Sequence, residues 1–510
     1  MEKKKPSKKK PIDWLKIIPI ISSVLVITLS LVLFFFAKGY SFDLSNNSLK
    51  QNGVITVTTR PLQTDIYIDG EQIGKTSKGK GLHAGIHNVR VEKKGYHTWE
   101  KRVRVLPETN AIIIPWVLLE EPEKSIKWSS ERTLINYWIN KDGNIALILL
   151  QETDSTYSLL RYKLQNGLLD LSNNPNTIWT TPSKDFELNL SPNGNFALLT
   201  IPNAGGKEIY LINTSSVFIL GSAKPLSLTT REGYEIEWAK DSKHLMLVSK
   251  DDILSYDVTS EITYSLLQKK DGVEYIWETD KNSNFYMLRN LTKEDDPVYT
   301  YAIEQSRLEG TGDAYLISNI SMQKDQKYIE YYRTGLFNYI PFTNSVINTQ
   351  TVGEITSFLV NPDIKGVFIT TTSASYWYDT ESRTYMMINP YPSKILEFSR
   401  DNKRFLFESE NSLKTFTFKG NMENPVEKTG LLPFTKATKE NNIKWVDNST
   451  YFSYVKEDKL YVVEKDGDNE TEVLPTNGIL FYSIESSKNI ILTFENDAKG
   501  NFVINQYKIQ

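Results

Sequence analysis

The chain has 510 residues, and its 59 Lys and Arg against 62 Asp and Glu leave a formal charge of −3, which argues against a nucleic-acid binder with a globally basic field. It contains no cysteine, which excludes disulfide scaffolds, thiolate nucleophiles and Cys-ligated metal sites, and only four histidines, His83, His87, His97 and His244. Hydrophobic residues at 40% and aromatic residues at 12% describe a large folded β protein of roughly three domain-sized units with little catalytic equipment.

The N-terminus opens with Lys3, Lys4, Lys5, Lys8, Lys9 and Lys10, followed by Lys16. Residues 17–37 then run 21 positions without a charge, about 31 Å of helix against a hydrocarbon core of ~30 Å. The expectation is a cytoplasmic basic tail (1–16), a transmembrane helix (17–37) and a polar spacer (38–52). The lysines on the N-terminal flank place that end in the cytoplasm, making a single-pass plasma-membrane protein with extracytoplasmic C-terminal domains. A cleaved signal peptide fits less well, because its apolar region is usually ~7–15 residues and Phe35-Phe36-Ala37 is a poor cleavage site.

From Gly53 the hydrophobic period becomes two. Val54 to Thr58 and Thr64 to Ile68 read as strands, the second closed by Asp69-Gly70, a favoured type I′ hairpin turn. Ile86-His87-Asn88-Val89-Arg90-Val91 alternates, Lys94-Gly95-Tyr96 turns, and a further strand starts at Trp99. Tyr67-Ile68-Asp69-Gly70, Ile73-Gly74-Lys75-Thr76, Gly85 to Val91, Lys94-Gly95-Tyr96 and Trp99 together resemble the PEGA domain, a small β-sandwich module of bacterial envelope proteins. Of the four residues that name that family Pro61 is kept, while Leu62, Gln63 and Thr64 stand in the other three places. The resemblance covers residues 53–119 and implies a spacer or binding module. His83 and His87 are four apart, but Gly85 between them and the period of two argue against a helical metal pair.

Residues 120–130 read as a charged linker, and residues 131–510 as a repeat array. Its unit is an apolar strand, a polar turn and a second apolar strand, clearest at Leu188 to Leu199 around Ser191-Pro192-Asn193-Gly194, at Ile236 to Leu247 and at Leu396 to Phe407. Turn markers recur near Asp142, Asn193, Asp241, Asn282, Asp325, Asp363, Asp401, Asp447 and Ser487, spaced 38 to 51 residues apart, as in propeller blades. The turn around Asn193 resembles the repeat of TolB-like, WD-type β-propellers, which implies a binding scaffold. The expected fold is therefore all-β: a transmembrane helix, a PEGA-like sandwich, and a β-propeller of seven to nine blades, eight as the best count.

Asp466-Gly467-Asp468-Asn469-Glu470 begins like a calcium loop, but Thr471 and Asn477 stand where Gly and Glu are required, so it reads as an acidic hairpin tip. The stretch carrying Tyr328, Tyr331, Tyr332, Phe337 and Tyr339 departs from the repeat and is the first choice for a binding surface. Trp377, within Ser375-Tyr376-Trp377-Tyr378-Asp379, joins it as a possible sugar platform, although a third blade strand with alternate rings buried is the favoured reading of these rings. Adjacent acids such as Asp251-Asp252 and Asp295-Asp296 suit solvated turns rather than a glycosidase dyad. No cofactor, metal or catalytic residue is assigned and the chain is expected not to be an enzyme. The reading is a membrane-anchored scaffold whose propeller contacts an envelope protein, wall polymer or glycan, with no nucleic-acid partner. The alternatives are a propeller lyase or hydrolase acting on polysaccharide, and a structural envelope component.

Overall fold

The N-terminal apolar run is helical over Trp14–Ala37. In this computed structural model the described residues are 14–37, 40–43, 48–164, 174–323, 353–423 and 443–510, with gaps of one to six residues inside the last three ranges. The expected single-pass anchor and plasma-membrane location are corrected here. Among the described residues no helix is long and apolar enough to cross a membrane. The chain divides into Met1–Glu121 with Gln510, and Pro122–Ile509.

The first unit holds two sheets. In one, Ser48–Val57 pairs with Tyr40–Asp43, Lys78–His83 and, in parallel, Asn110–Ile113. In the other the order is Glu71–Lys75, Asp65–Ile68, Gly85–Glu92 and Trp99–Val105. The period of two sends Ile66, Ile68, Val89, Val91, Val103 and Val105 into one core with Ile55, Val57 and Trp99. Their neighbours Tyr67 and Arg90 lie outside, the guanidinium 4.5 Å from the ring centroid. Asp69 and Gly70 take φ of 51° and 84°, the left-handed pair that a type I′ turn requires.

The second unit contains eight sheets among the described residues, which we number as blades 1 (134–181), 2 (187–213), 3 (235–268), 4 (275–323), 5 (355–389), 6 (393–423), 7 (444–475) and 8 (479–508). Second strands are apolar on both faces because each blade is packed on both sides. In the strand Ile145–Thr153, Leu147 and Leu149 face Leu188, Leu199 and Ile212 of blade 2, whereas Ala146, Ile148 and Leu150 face Phe494, Phe502 and Ile504 of blade 8. The same handover joins blades 2 and 3 through Leu198 and Leu245, 3 and 4 through Met246 and Phe285, and 4 and 5 through Leu288 and Ile369. Blades 5 and 6 meet through Phe368 and Phe405, 6 and 7 through Leu406 and Phe452, and 7 and 8 through Ser453 and Tyr482. Blade 8 packs on blade 1, so the ring closes. It is an eight-bladed β-propeller.

Two sequence readings change. Glu123–Ser129, within the expected linker, is the outer strand of blade 8, pairing with Phe502–Lys508 from Ser129–Val503 to Glu123–Lys508. All of it is exposed except the partly buried Trp128, as suits an outer edge strand. Of the nine expected turns, eight fall between the first and second strands of the eight blades; Asp363 and Asp447 there lie outside the described residues, flanked by the paired strands of blades 5 and 7. The ninth, Asp325, also lies outside them, following the last strand of blade 4.

The repeated turn is a side-chain device. In blade 2 the Ser191 hydroxyl donates to Asn193 Oδ1 (3.0 Å) and accepts from the Phe196 amide (3.1 Å). Blade 6 repeats this with Ser399, Asp401 and the Arg404 amide, at 2.6 and 3.0 Å. Ser, Asn and Asp serve because their short side chains satisfy local backbone amides.

Trp377 lies in the strand Ser375–Asp379 and packs, half-buried, beside Phe368, Phe398 and Ile395 between blades 5 and 6. Gly366 makes room for it: a Cβ there would sit 1.7 Å from Trp377 Cζ2. Gly366→Ala is therefore expected to destabilise the propeller by about 1–3 kcal/mol through overpacking. Denaturant unfolding checks this, and the cost should shrink when Trp377→Phe is added.

Candidate functional site

The first-to-second-strand turns of the blades surround a central cavity of about 1360 Å³, to which all eight blades contribute lining residues. Alternation on the innermost strands selects them. Each of these strands ends at a residue whose amide bonds to the start of the second strand: Ser191, Ala239, Asp280, Ser399 and Val446 in blades 2, 3, 4, 6 and 7. The residue two places earlier is Asn189, Glu237, Glu278, Glu397 and Lys444 respectively, all polar, whereas blade 1, where the Asn140 amide makes the same bond, has Trp138 there. Glu278, Glu397 and Lys444 line the cavity.

Several charged groups in the cavity are already partnered. Lys240 Nζ lies 2.9 Å from Glu278 and Lys281 Nζ 3.8 Å from Asp142. Asp280 accepts hydrogen bonds from the Asn282 and Asn284 amides, the Asn284 side chain and the Tyr286 hydroxyl, so its carboxylate is committed to the turn. Lys141 and Lys394, both exposed and on the lining, have no ion pair among the described residues.

Glu397 and Lys444 form the most perturbed part of the wall. Glu397 Oε2 accepts the Trp445 amide at 2.8 Å, and its backbone carbonyl accepts the Trp445 indole N–H at 3.3 Å. Burial pushes the Glu397 carboxyl above its usual range, with the Trp445 amide and the Lys444 charge opposing. Burial pulls the Lys444 ammonium down to about 8, with Glu397 opposing. Lys444 Nζ donates to the Tyr482 carbonyl at 2.9 Å and stands 4.3 Å from the Tyr482 ring centroid and 5.0 Å from that of Phe481. The Tyr482 hydroxyl, raised by burial, lies 3.4 Å from the Ser453 hydroxyl. The two shifts run in opposite directions, the amine down and the carboxyl up, which brings the two groups closer in proton affinity.

Tyr328, Tyr331, Tyr332, Phe337 and Tyr339 lie outside the described residues, and Trp377 is packed between blades. The acidic tip at 466–470 is the hairpin turn between Lys459–Glu464 and Thr471–Pro475, with Asn469 Nδ2 donating to Glu464. In the small domain His83 Nδ1 lies 2.8 Å from Asn52 Oδ1, while His87 bridges Asp69 and the His83 carbonyl at 2.6 and 2.7 Å. Among the described residues no group of three His, Asp or Glu could hold a metal ion. Glu397 and Lys444 escaped the sequence reading, although the signal was there in a polar residue two places before the turn.

The small domain matches the PEGA family over residues 52–114. It is a PEGA domain. The match carries the PEGA domain's name to that segment alone, and no curated protein matches the chain. Solved structures similar to it include an oligogalacturonate lyase from Vibrio parahaemolyticus (9% identity, TM-score 0.36, covering 76% of this chain and 98% of the lyase). Others are Porphyromonas gingivalis dipeptidyl peptidase 4 (13%, TM-score 0.39, 74% and 58%) and the β-propeller domain of the Trilobed protease from Pyrococcus furiosus (12%, TM-score 0.32, 74% and 97%). The expectation that the chain is not an enzyme is corrected by these neighbours, which include enzymes. Likenesses at this level assign it neither a reaction nor a substrate.

Proposed function

We propose that the propeller is a binding module whose ligand, an acidic glycan or wall polymer, enters the central cavity, with the PEGA domain as spacer. The observation that carries this reading is the placement of Lys141 and Lys394, free of ion pairs among the described residues, on the lining of a cavity shared by eight blades. The propeller as a whole has more acidic than basic residues, so exposed lysines on the cavity lining favour an anionic ligand there. Titration of the protein with uronic-acid oligosaccharides and their neutral counterparts tests it. The acidic series should bind more tightly, and Lys141→Ala with Lys394→Ala should weaken it by about tenfold per lost charge-assisted contact. Equal affinity for the neutral series, or an unaffected double variant, would refute it.

A second reading is supported by Glu397 and Lys444, whose opposed shifts suit proton transfer: an enzyme acting on polysaccharide at the same cavity. Product release from the bound oligosaccharide, abolished by Glu397→Gln with binding retained, would favour it over the binding module.

A further inference from the structure

Lys444 is placed unlike the other lysines of the cavity. Lys240 and Lys281 each have a carboxylate partner, and Lys141 and Lys394 are exposed to water. Lys444 is half-buried, and its Nζ donates to the Tyr482 carbonyl, its one hydrogen bond among the described residues. Glu397, the nearest opposite charge acting on it, makes no ion pair with it, because its carboxylate is turned to the Trp445 amide. The remaining surroundings of the nitrogen are the faces of Tyr482 and Phe481. An ammonium has three donors to satisfy and a neutral amine two, so one acceptor and two rings serve the neutral amine better. The ring faces attract a cation, but they do not replace the water that burial removes.

We propose that Lys444 is a nucleophilic amine in the central cavity that captures carbonyl compounds, aldehydes or ketones, as a Schiff base, with Glu397 moving the protons. The Nζ lone pair adds to the carbonyl carbon, and the displaced π pair on oxygen takes the proton of the Glu397 carboxyl. The carbinolamine nitrogen then returns a proton to the Glu397 carboxylate. The Glu397 carboxyl protonates the hydroxyl, which leaves as water while the C=N bond forms, and the iminium nitrogen gives that proton back to the carboxylate. Amine and carbonyl thus give imine and water, with no other reactant. Burial depresses Lys444 to about 8, which frees part of the amine near neutral pH, and pushes the Glu397 carboxyl up, which favours the form that carries a proton. The assignment does not depend on which polymer, if any, fills the cavity.

The test uses the full chain with pyridoxal and cyanoborohydride at pH 7.5, followed by peptide mass mapping of every lysine. Lys444 should be reductively labelled on the order of tenfold faster than exposed lysines such as Lys184, because a larger fraction of it is neutral. Its labelling should level off near pH 8 to 8.5, whereas surface lysines continue to gain up to pH 10. Glu397→Gln should slow the labelling of Lys444 and leave Lys184 unchanged, which a purely structural role for Glu397 would not do. Labelling of Lys444 at or below the surface rate, or a rate rising through pH 10 with the others, would overturn the assignment. The wild-type measurement stands alone if the variant fails to fold. Because the oligosaccharide titration is read separately, the failure of one proposal leaves the other intact.

Discussion

Phe494→Ala is expected to cost about 3–5 kcal/mol, the largest loss from any single truncation considered. Phe494 is fully buried where the last blade meets the first, with Phe481, Phe502, Tyr137 and Tyr162 around it at centroid distances of 5.1 to 6.4 Å. Removing the ring forfeits its transfer energy and opens a void that neighbours on two different blades cannot fill together. Denaturant unfolding of the full chain should show a much lower midpoint. Ile126→Ala, on the outer strand of the same blade and 68% exposed, should stay within about 0.5 kcal/mol of wild type. Equal midpoints for the two variants would mean that the ring is not sealed at this joint.

The second large effect depends on pH. Burial holds Lys444 at about 8 in the folded protein, against ~10.4 for an unfolded lysine. Between those values the unfolded chain binds more protons, so stability rises with pH; below pH 8 the penalty is constant and above 10.4 it is gone. The whole span is at most about 3 kcal/mol for this half-buried group. Lys444→Met should therefore stabilise the protein at pH 7 by about 1–3 kcal/mol, and the difference from wild type should vanish as pH approaches 10. Unfolding midpoints of both proteins from pH 7 to 10 decide it. A constant difference across that range would mean that Lys444 is not depressed.

What the sequence disclosed follows the range of the interactions. The Ser191 and Ser399 turns are hydrogen-bonded within six residues, so their composition alone marks eight blade hairpins. The PEGA core was legible for the same reason, since Ile66, Ile68, Val89 and Val91 alternate along single strands. The favoured reading of Ser375–Asp379 as a third blade strand fits its place in blade 5, but the packing of Trp377 was not legible, because the ring covers Gly366 on the adjacent strand, a residue without a side chain to signal it. The cavity was illegible as a site because its parts come from different blades, Lys444 lying 47 positions beyond Glu397. The strand Glu123–Ser129 was hidden by its charge, which suits an outer edge as well as a linker.

The pairing of Glu123–Ser129 with Phe502–Lys508 also sets an order of events during synthesis. Ser129 leaves the ribosome roughly 370 residues before Val503, at least about twenty seconds earlier at 5–20 residues per second. Throughout that interval the first propeller strand has no partner, and the outward face of blade 1 that blade 8 will cover lies bare. A nascent or C-terminally truncated chain therefore carries an open edge and an apolar face that the finished ring conceals, and both invite pairing with another chain. Completion of the last strand is the step that turns a growing stack of blades into a closed and self-contained disc.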